Sequence, residues 1–292
     1  MPELPEVETI VRELKPKVLK RTFVDVWTDW PKLIKKPVSF IRFKKEIRNK
    51  KIKNVWRRGK NIIFDLSCDK KMLIHQKMTG HLLYGKWEKT KNKWRSKIKG
   101  PLSEDPMNRF LHLIFFLDNK KQIALSDLRK FAKVELWEKR ELEKTEGFNK
   151  LGPEPLDRSF TFKKFKEILP EKGKIKQILM DQSVIVGIGN IYADEILWDA
   201  KIHPKKDISK LTSNDFKKIY NTIPKILKKA IKFKGDSMSD YRRPNGEKGG
   251  YQNLQKVYRK EGKPCPIKNH GTIQRVKING RSAHFCPKCQ RL

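Results

Sequence analysis

Near the start of the chain apolar residues recur at three- and four-residue spacing, at Val7, Ile10, Val11, Leu14 and Val18. This spacing predicts a helix over roughly residues 4 to 19 with one buried stripe. Its first turn carries Glu3, Glu6 and Glu8, carboxylates that complement the helix dipole there. From about 22 to 137 the pattern changes to short apolar or alternating runs, at 60–66, 72–75, 111–117, 123–125 and 134–137. These read as strands, and their close succession predicts an antiparallel sandwich rather than an alternating α/β sheet. The Lys-rich stretch from Lys86 to Asp105, with Gly100-Pro101, reads as a long exposed loop between two of them.

Around 138 to 158 the chain turns charged and then runs Leu151-Gly152-Pro153-Glu154-Pro155-Leu156, a poor place for regular structure and the expected domain boundary. Helical periodicity follows at Phe160, Phe162, Phe165, Ile168 and Leu169, at 191–197, and from Phe216 to Ala230. Thr212 or Ser213 serves the last of these as N-cap, and Pro224 is a candidate kink. Residues 235–250 have neither period and enough Gly and Ser to form a long, mobile, functional loop. The expected organisation is α+β in two domains. A β-sandwich domain spans 1–137, a linker 138–158 and a helical domain 159–255 that includes the loop 235–250, with a separate C-terminal element over 256–292.

A chain of 292 residues is long enough for two cores. Composition adds a partner: 69 Lys+Arg stand against 33 Asp+Glu, a formal net charge of +36, and the pI is about 10.1. The basic residues are interleaved with apolar ones along the whole chain, which points to a folded nucleic-acid binder rather than a neutral domain with a basic arm. No run of about 18 uncharged apolar residues occurs, and the acidic, Pro-rich start is unlike a signal peptide, so a cytoplasmic protein with no membrane partner is expected. Cys68 is isolated, whereas Cys265, Cys286 and Cys289 gather near the C-terminus as part of a metal site.

The chain opens Met1-Pro2-Glu3-Leu4-Pro5-Glu6-Val7-Glu8-Thr9. A small second residue permits removal of Met1, leaving Pro2 with a secondary amine that titrates near neutrality and is nucleophilic. Attack by such an amine on an aldehyde-like carbon gives an iminium, a permanent cation and an electron sink. The opening string resembles the N-terminus of the bacterial formamidopyrimidine-DNA glycosylases, and the resemblance continues in order over nearly the whole chain. It runs through Arg58-Gly59-Lys60, His75, Met78-Thr79-Gly80, Asp127 to Phe131, the Leu-Gly-Pro-Glu-Pro-Leu linker and Gly187-Ile188-Gly189-Asn190-Ile191-Tyr192-Ala193.

The resemblance implies a nucleophilic role for Pro2 at the sugar C1′, an adjacent acid in Glu3 that protonates the opened sugar, and a phosphate-gripping, assisting lysine in Lys60. It implies that Met78, Arg129 and Phe131 fill the gap left by an everted base, a plug that any enzyme reaching a duplex base requires. Read on their own, Met78 and Phe131 would be core residues. His75, Arg109, Lys176, Asn190 and Tyr258 correspond to further DNA contacts. The Gly187-Ile188-Gly189-Asn190 turn resembles the family's helix-two-turns-helix element, whose glycines let backbone amides approach a phosphate. Arg281, in Lys277-Ile278-Asn279-Gly280-Arg281-Ser282, matches an arginine of the family's finger tip that holds the DNA backbone and serves late in elimination.

The family's finger has two Cys-x2-Cys pairs, and only the second is intact here, as Cys286-Pro287-Lys288-Cys289. At the first pair Cys265 is followed by His270, two residues further on than the missing Cys, and Cys-x4-His with three thiolates is a workable structural zinc set. His284 is the alternative fourth ligand. The implied architecture is an N-terminal β-sandwich flanked by helices and a helical domain ending in a zinc β-hairpin, with DNA in the cleft between. The implied protein is a monomeric glycosylase and lyase for oxidised purines in double-stranded DNA that holds one zinc and uses no catalytic metal. Two rivals stay open: the sister group that acts on oxidised pyrimidines, and a non-catalytic damage binder. Leu4 and the loop after Gly235 favour the purine branch, and Pro2, Glu3 and Lys60 favour an enzyme.

Overall fold

The first apolar stripe folds as helix α1 (Leu4–Val18), with Val7, Ile10, Val11, Leu14 and Val18 all buried. In the computed structural model, which describes residues 1–91 and 93–292, contacts divide the chain into two units. One is Met1–Asn149 with Phe233–Gln252, and the other is Lys150–Lys232 with Asn253–Leu292.

After α1 the first unit contains β1 (Phe23–Thr28), β2 (Ile34–Lys36), α2 (Phe40–Ile47), β3 (Ile52–Arg58), β4 (Asn61–Leu66), β5 (Lys70–His75), β6 (His81–Gly85), β7 (Trp87–Thr90) and β8 (Lys93–Ser96). It continues with α3 (Pro101–Glu104), β9 (Leu111–Leu117), β10 (Gln122–Ser126), β11 (Lys133–Glu138), α4 (Lys139–Lys144) and α5 (Glu146–Asn149). A four-stranded sheet in the order β1-β9-β10-β6 and a five-stranded sheet in the order β2-β11-β5-β4-β3 form the sandwich. The pairing is antiparallel apart from β2 with β11. Phe115 and Leu125 from the first sheet meet Phe64 and Ile74 from the second in one apolar cluster, which the α1 stripe completes.

Three segments differ from the sequence reading. The stretch expected as an open loop between Lys86 and Asp105 contains an antiparallel hairpin, β7 with β8. Its lysines mask an apolar face: Trp87 is 4% exposed, and the Trp94 ring lies edge-on to Trp27 with centroids 5.3 Å apart. Part of the expected linker is helical, because Leu142 of α4 covers Ile63 and Leu73 on the outer face of the five-stranded sheet. That cover also explains the unbroken apolar run Ile62-Ile63-Phe64, since the two faces of β4 are both buried.

The third difference is the loop 235–250, expected in the helical domain and expected to be mobile. It belongs with the N-terminal unit. Polar anchors replace the missing periodicity: Arg243 donates to Glu13 at 2.7 Å, Arg242 to Asp105 at 2.6 Å, and Tyr84 N–H to the Pro244 carbonyl at 2.7 Å. Tyr241 is buried in the main core.

The second unit contains α6 (Phe162–Glu167), α7 (Ile175–Met180), α8 (Asn190–Ala200), α9 (Ser213–Lys232), β12 (Gln274–Ile278) and β13 (Arg281–Phe285). Thr212 Oγ1 accepts the Asp215 N–H at 3.2 Å at the start of α9, which runs on through Pro224. Asn279 and Gly280 join β12 to β13 with φ of 43° and 73°, the two left-handed positions of a tight hairpin turn.

Candidate active site and nucleic-acid interface

Met1 is 44% exposed, whereas Pro2 and Glu3 are buried at the head of α1. Glu3 and Glu6 form a reciprocal capping box, in which the Glu3 N–H donates to Glu6 Oε2 at 2.7 Å. The other Glu6 oxygen accepts the Asp236 N–H at 2.8 Å. One buried carboxylate therefore holds both the residue next to Pro2 and the root of the loop 235–250. A Cβ on Gly235 would stand 2.8 Å from that same oxygen, and its φ of 78° also suits glycine. Glu6 was legible in sequence only as one of three acids in a first turn.

Lys60 is 7% exposed and follows Gly59 at the turn from β3 to β4. The Arg57 guanidinium donates to Glu8 on α1 at 3.0 Å and to the Gly59 carbonyl at 3.1 Å, so this turn is tied to the helix that begins beside Pro2. His75, across the β4–β5 register from Asn61, accepts the Lys77 N–H on Nδ1 at 2.9 Å. Burial, then Lys77, Lys133 and Lys60, lower its pKa to about 3, so the ring is neutral with its proton on Nε2.

The turn at 78–80 and the loop at 127–132 meet on Asp127, which is fully buried. Its carboxylate accepts from the Thr79 hydroxyl, from the Arg129 N–H at 3.3 Å and from the Ala132 N–H at 2.7 Å. Met78 and Phe131 are left exposed at 39% and 51%, and the Arg129 guanidinium lies 4.6 Å from the Phe131 ring centre. The exposure of Met78 and Phe131 is why reading them as core would fail. Arg109, also exposed, ends a 3-10 turn and borders a groove lined by Trp27, Trp94 and His112.

Beneath the Met78 turn, His81 is fully buried against Asn108 at 3.1 Å. Burial lowers it to about 4, against hydrogen bonds to Asn108 and Thr79 that raise it. The unfolded chain therefore binds more protons than the folded one between about pH 6.5 and 4, and stability falls as pH falls through that window. Compared with His81→Gln, the wild type should lose about 2 kcal/mol more between pH 7 and pH 5. Urea titrations at the two pH values measure it, and parallel losses would refute it.

In the second unit, Gly187 has φ of 89° and donates its N–H to Gln182 Oε1 at 2.9 Å, shaping the turn that ends at Asn190 on the first residue of α8. Glu195 is buried and accepts the N–H groups of Lys256, Val257 and Tyr258, each near 3.0 Å, which fixes the Tyr258 backbone; burial raises its pKa. Asp194 accepts both the backbone N–H and the Nδ1–H of His284 at 2.9 and 3.0 Å, and it pairs with Lys176 Nζ at 2.6 Å. Lys176 is 1% exposed and also donates to the Ser282 carbonyl. The resemblance implies a phosphate-binding position there. In this structure the ammonium is a buried tie from α7 to α8 and β13, with Asp194 as its anion. Arg281 is exposed at the hairpin end and shares a depression with Gln177 and Asn279. Neither Asp194 nor Glu195 was found in sequence, where both are simply acids in a helix.

The sulfurs of Cys265, Cys286 and Cys289 lie within 4.8 Å of one another. Burial and its two thiol neighbours push Cys289 up to about 12, so three thiols this close ionise together only against a cation. The donor set fits a structural metal. His270 brings Nδ1 to 2.9 Å from Cys289 Sγ, whereas the His284 ring is committed to Asp194.

Comparison with known proteins gives the family. The family model for the formamidopyrimidine-DNA glycosylase N-terminal domain matches residues 1–134, and that for the H2TH domain of the same enzymes matches 151–242. Formamidopyrimidine-DNA glycosylases of Pelotomaculum thermopropionicum and Desulforamulus reducens are 38% and 37% identical, each over 100% of this chain and at least 99% of theirs. The chain belongs to the formamidopyrimidine-DNA glycosylase family.

A model described as a zinc finger found in FPG and IleRS matches 271–292, which takes in Cys286 and Cys289 but not Cys265 or His270. The structure is similar to a Lactococcus lactis FPG variant in complex with a Fapy-dG containing DNA, with a TM-score of 0.86 and 34% identity over 100% of both chains. It is also similar to the Lactococcus lactis Fpg bound to an abasic site containing DNA, with a TM-score of 0.85 and 34% identity over 99% of this chain and 100% of that one. Membership makes this chain a DNA-repair glycosylase with a DNA-binding surface. Among the described residues no helix is long and apolar enough to cross a membrane.

Proposed function

We propose that this glycosylase removes oxidised purines, 8-oxoguanine and formamidopyrimidines, from double-stranded DNA and then cleaves the strand, with Pro2 as nucleophile. The observation that carries the reading is Glu6, whose two oxygens hold Glu3, the neighbour of Pro2, and Asp236, the root of a long loop in the same unit. Once Met1 is removed, the Pro2 nitrogen attacks C1′ and the bond from C1′ to the base breaks, the base leaving with a proton. Glu3 protonates the sugar ring oxygen as the ring opens, leaving an iminium on Pro2. Loss of the C2′ proton into that electron sink expels the 3′-phosphate, and a second elimination expels the 5′-phosphate. Lys60 holds the phosphate beside the lesion, and Arg281 binds backbone and serves in the late elimination. Met78, Arg129 and Phe131 fill the vacated stack, Arg129 facing the orphaned base. His75, Arg109, Asn190 and Tyr258 contact DNA, and Lys176 acts through the hairpin it holds.

The thiolate site takes one zinc, with Cys265, Cys286, Cys289 and His270 as its ligands. Zinc would supply a structural clamp there, and the proposed chemistry draws on side chains and the N-terminal amine. The proposed working form is a cytoplasmic monomer.

Borohydride reduction during turnover on a duplex with one 8-oxoguanine opposite cytosine should trap a covalent adduct at residue 2. Trapping only on thymine glycol would move the enzyme to the pyrimidine branch, and trapping on neither would leave a damage binder.

A further inference from the structure

The β7–β8 hairpin plays no part in the chemistry proposed above, yet it is built as a platform. Residues 86–99 carry six lysines and Arg95 against one acid, Glu88. Among the described residues these cations are exposed, and Glu88 pairs with Lys97 at 2.6 Å as the hairpin's one ion pair. Burial alternates along β8, with Trp94 and Ser96 facing inward and Lys93 and Arg95 out, and Trp87 of β7 is buried opposite Ser96.

The inward face is held firmly. Trp94 packs on Trp27 and on Phe116, with ring centroids 5.3 and 5.8 Å apart. Gln122 of β10 grips the main chain of Trp87 from both sides, accepting its N–H and donating to its carbonyl at 3.1 Å. The Lys97 N–H donates to the Lys86 carbonyl at 2.8 Å and closes the base. Like charges on a rigid ribbon repel one another, and ordering them beforehand removes an entropy cost that a flexible basic arm meets on binding. The groove at its side is bordered by Arg95 and by Arg109, which the proposed function assigns to DNA. Its one acid, Asp29, is taken up by His112 at 2.9 Å.

We propose that the β7–β8 hairpin is a second, lesion-independent contact to the duplex, carrying onto flanking phosphates the surface that Arg109 begins. This rests on the DNA-glycosylase reading above. A row of exposed cations on one ribbon suits a phosphate backbone, and each phosphate contact adds to the salt dependence of binding without adding sequence preference.

The test compares the full chain, a hairpin variant Lys93→Gln/Arg95→Gln/Lys97→Gln, and an equal-charge variant on exposed α9 positions, Lys217→Gln/Lys228→Gln/Lys229→Gln. Anisotropy titrations use lesion duplexes of about 10 and about 30 base pairs between about 50 and 200 mM salt. On the long duplex the hairpin variant should have a salt slope shallower by about two to three, so that the wild type loses about 15- to 60-fold more affinity across that range. The α9 variant should change the slope by less than about one, and on the short duplex the hairpin variant should match the wild type. An unchanged slope on the long duplex, or a change no larger than that of the α9 variant, would overturn the proposal. Wild-type excision on the short duplex is scored separately: its absence, with the slope change intact, would defeat the glycosylase reading and leave the hairpin contact standing.

Discussion

A form of the protein that keeps Met1 should excise oxidised bases about a thousandfold more slowly than the processed form, with lesion binding changed by no more than a few-fold. With Met1 attached, the Pro2 nitrogen is an amide: its lone pair is delocalised into the carbonyl, and attack on C1′ would destroy that resonance. After removal the same atom is a secondary amine, of which roughly a tenth to a third is unprotonated between pH 7 and 7.4. Nothing else at the head of α1 need change, since the capping box between Glu3 and Glu6 and the Glu6 bond to Asp236 use no atom of Met1. Inserting one lysine after Met1 blocks processing, and single-turnover excision at saturating enzyme then isolates the chemical step. An inserted form that cuts at the normal rate would remove Pro2 as nucleophile and turn attention to Lys60, the buried amine on the turn that Arg57 ties to α1.

Much of this site can be read along the chain because its chemistry sits in contiguous strings. Pro2 and Glu3 share one motif, Met78 lies three residues past His75, and Arg129 and Phe131 flank Lys130. What stayed hidden are the side chains that hold those strings from far away in sequence. Asp127 links two loops, Asp194 reaches His284 across 90 residues, and Glu6 reaches Asp236 across 230. A carboxylate that caps a loop looks the same in sequence as one that faces water, so only its partners reveal it. The hairpin escaped for a related reason. Two tryptophans among six lysines carry too little period-two apolar signal to read as strands, yet burying Trp87 and packing Trp94 edge-on to Trp27 is enough to fix the ribbon. The loop 235–250 misled in the opposite direction. Its Gly and Ser content suggests freedom, and the salt links of Arg242 and Arg243 fasten it to the first unit.

Stripping metal from the thiolate cluster should lower affinity for a lesion duplex at least about a hundredfold while leaving the long helix α9 folded. The local core around the cluster is small, with Trp198, Val257 and Ile273 as its buried apolar residues beside Cys265 and Cys286. So little apolar surface cannot close a hairpin alone, and structural zinc in small fingers contributes on the order of 10 to 16 kcal/mol of apparent binding energy. Without it, β12 and β13 lose the closure that carries Arg281, and Asp194 is left holding one end of a loosened strand through His284. Chelator titration followed by zinc readdition, monitored by anisotropy and far-ultraviolet circular dichroism, measures this. Equal affinity before and after chelation would show that the cluster holds no working metal. Ligand identity follows from the same assay: His270→Ala should weaken zinc retention about 10- to 100-fold or more, His270→Cys should keep it, and His284→Ala should leave the stoichiometry at one. Loss of zinc in His284→Ala with retention in His270→Ala would exchange the two roles, and the imidazole now bonded to Asp194 would have to turn toward the sulfurs.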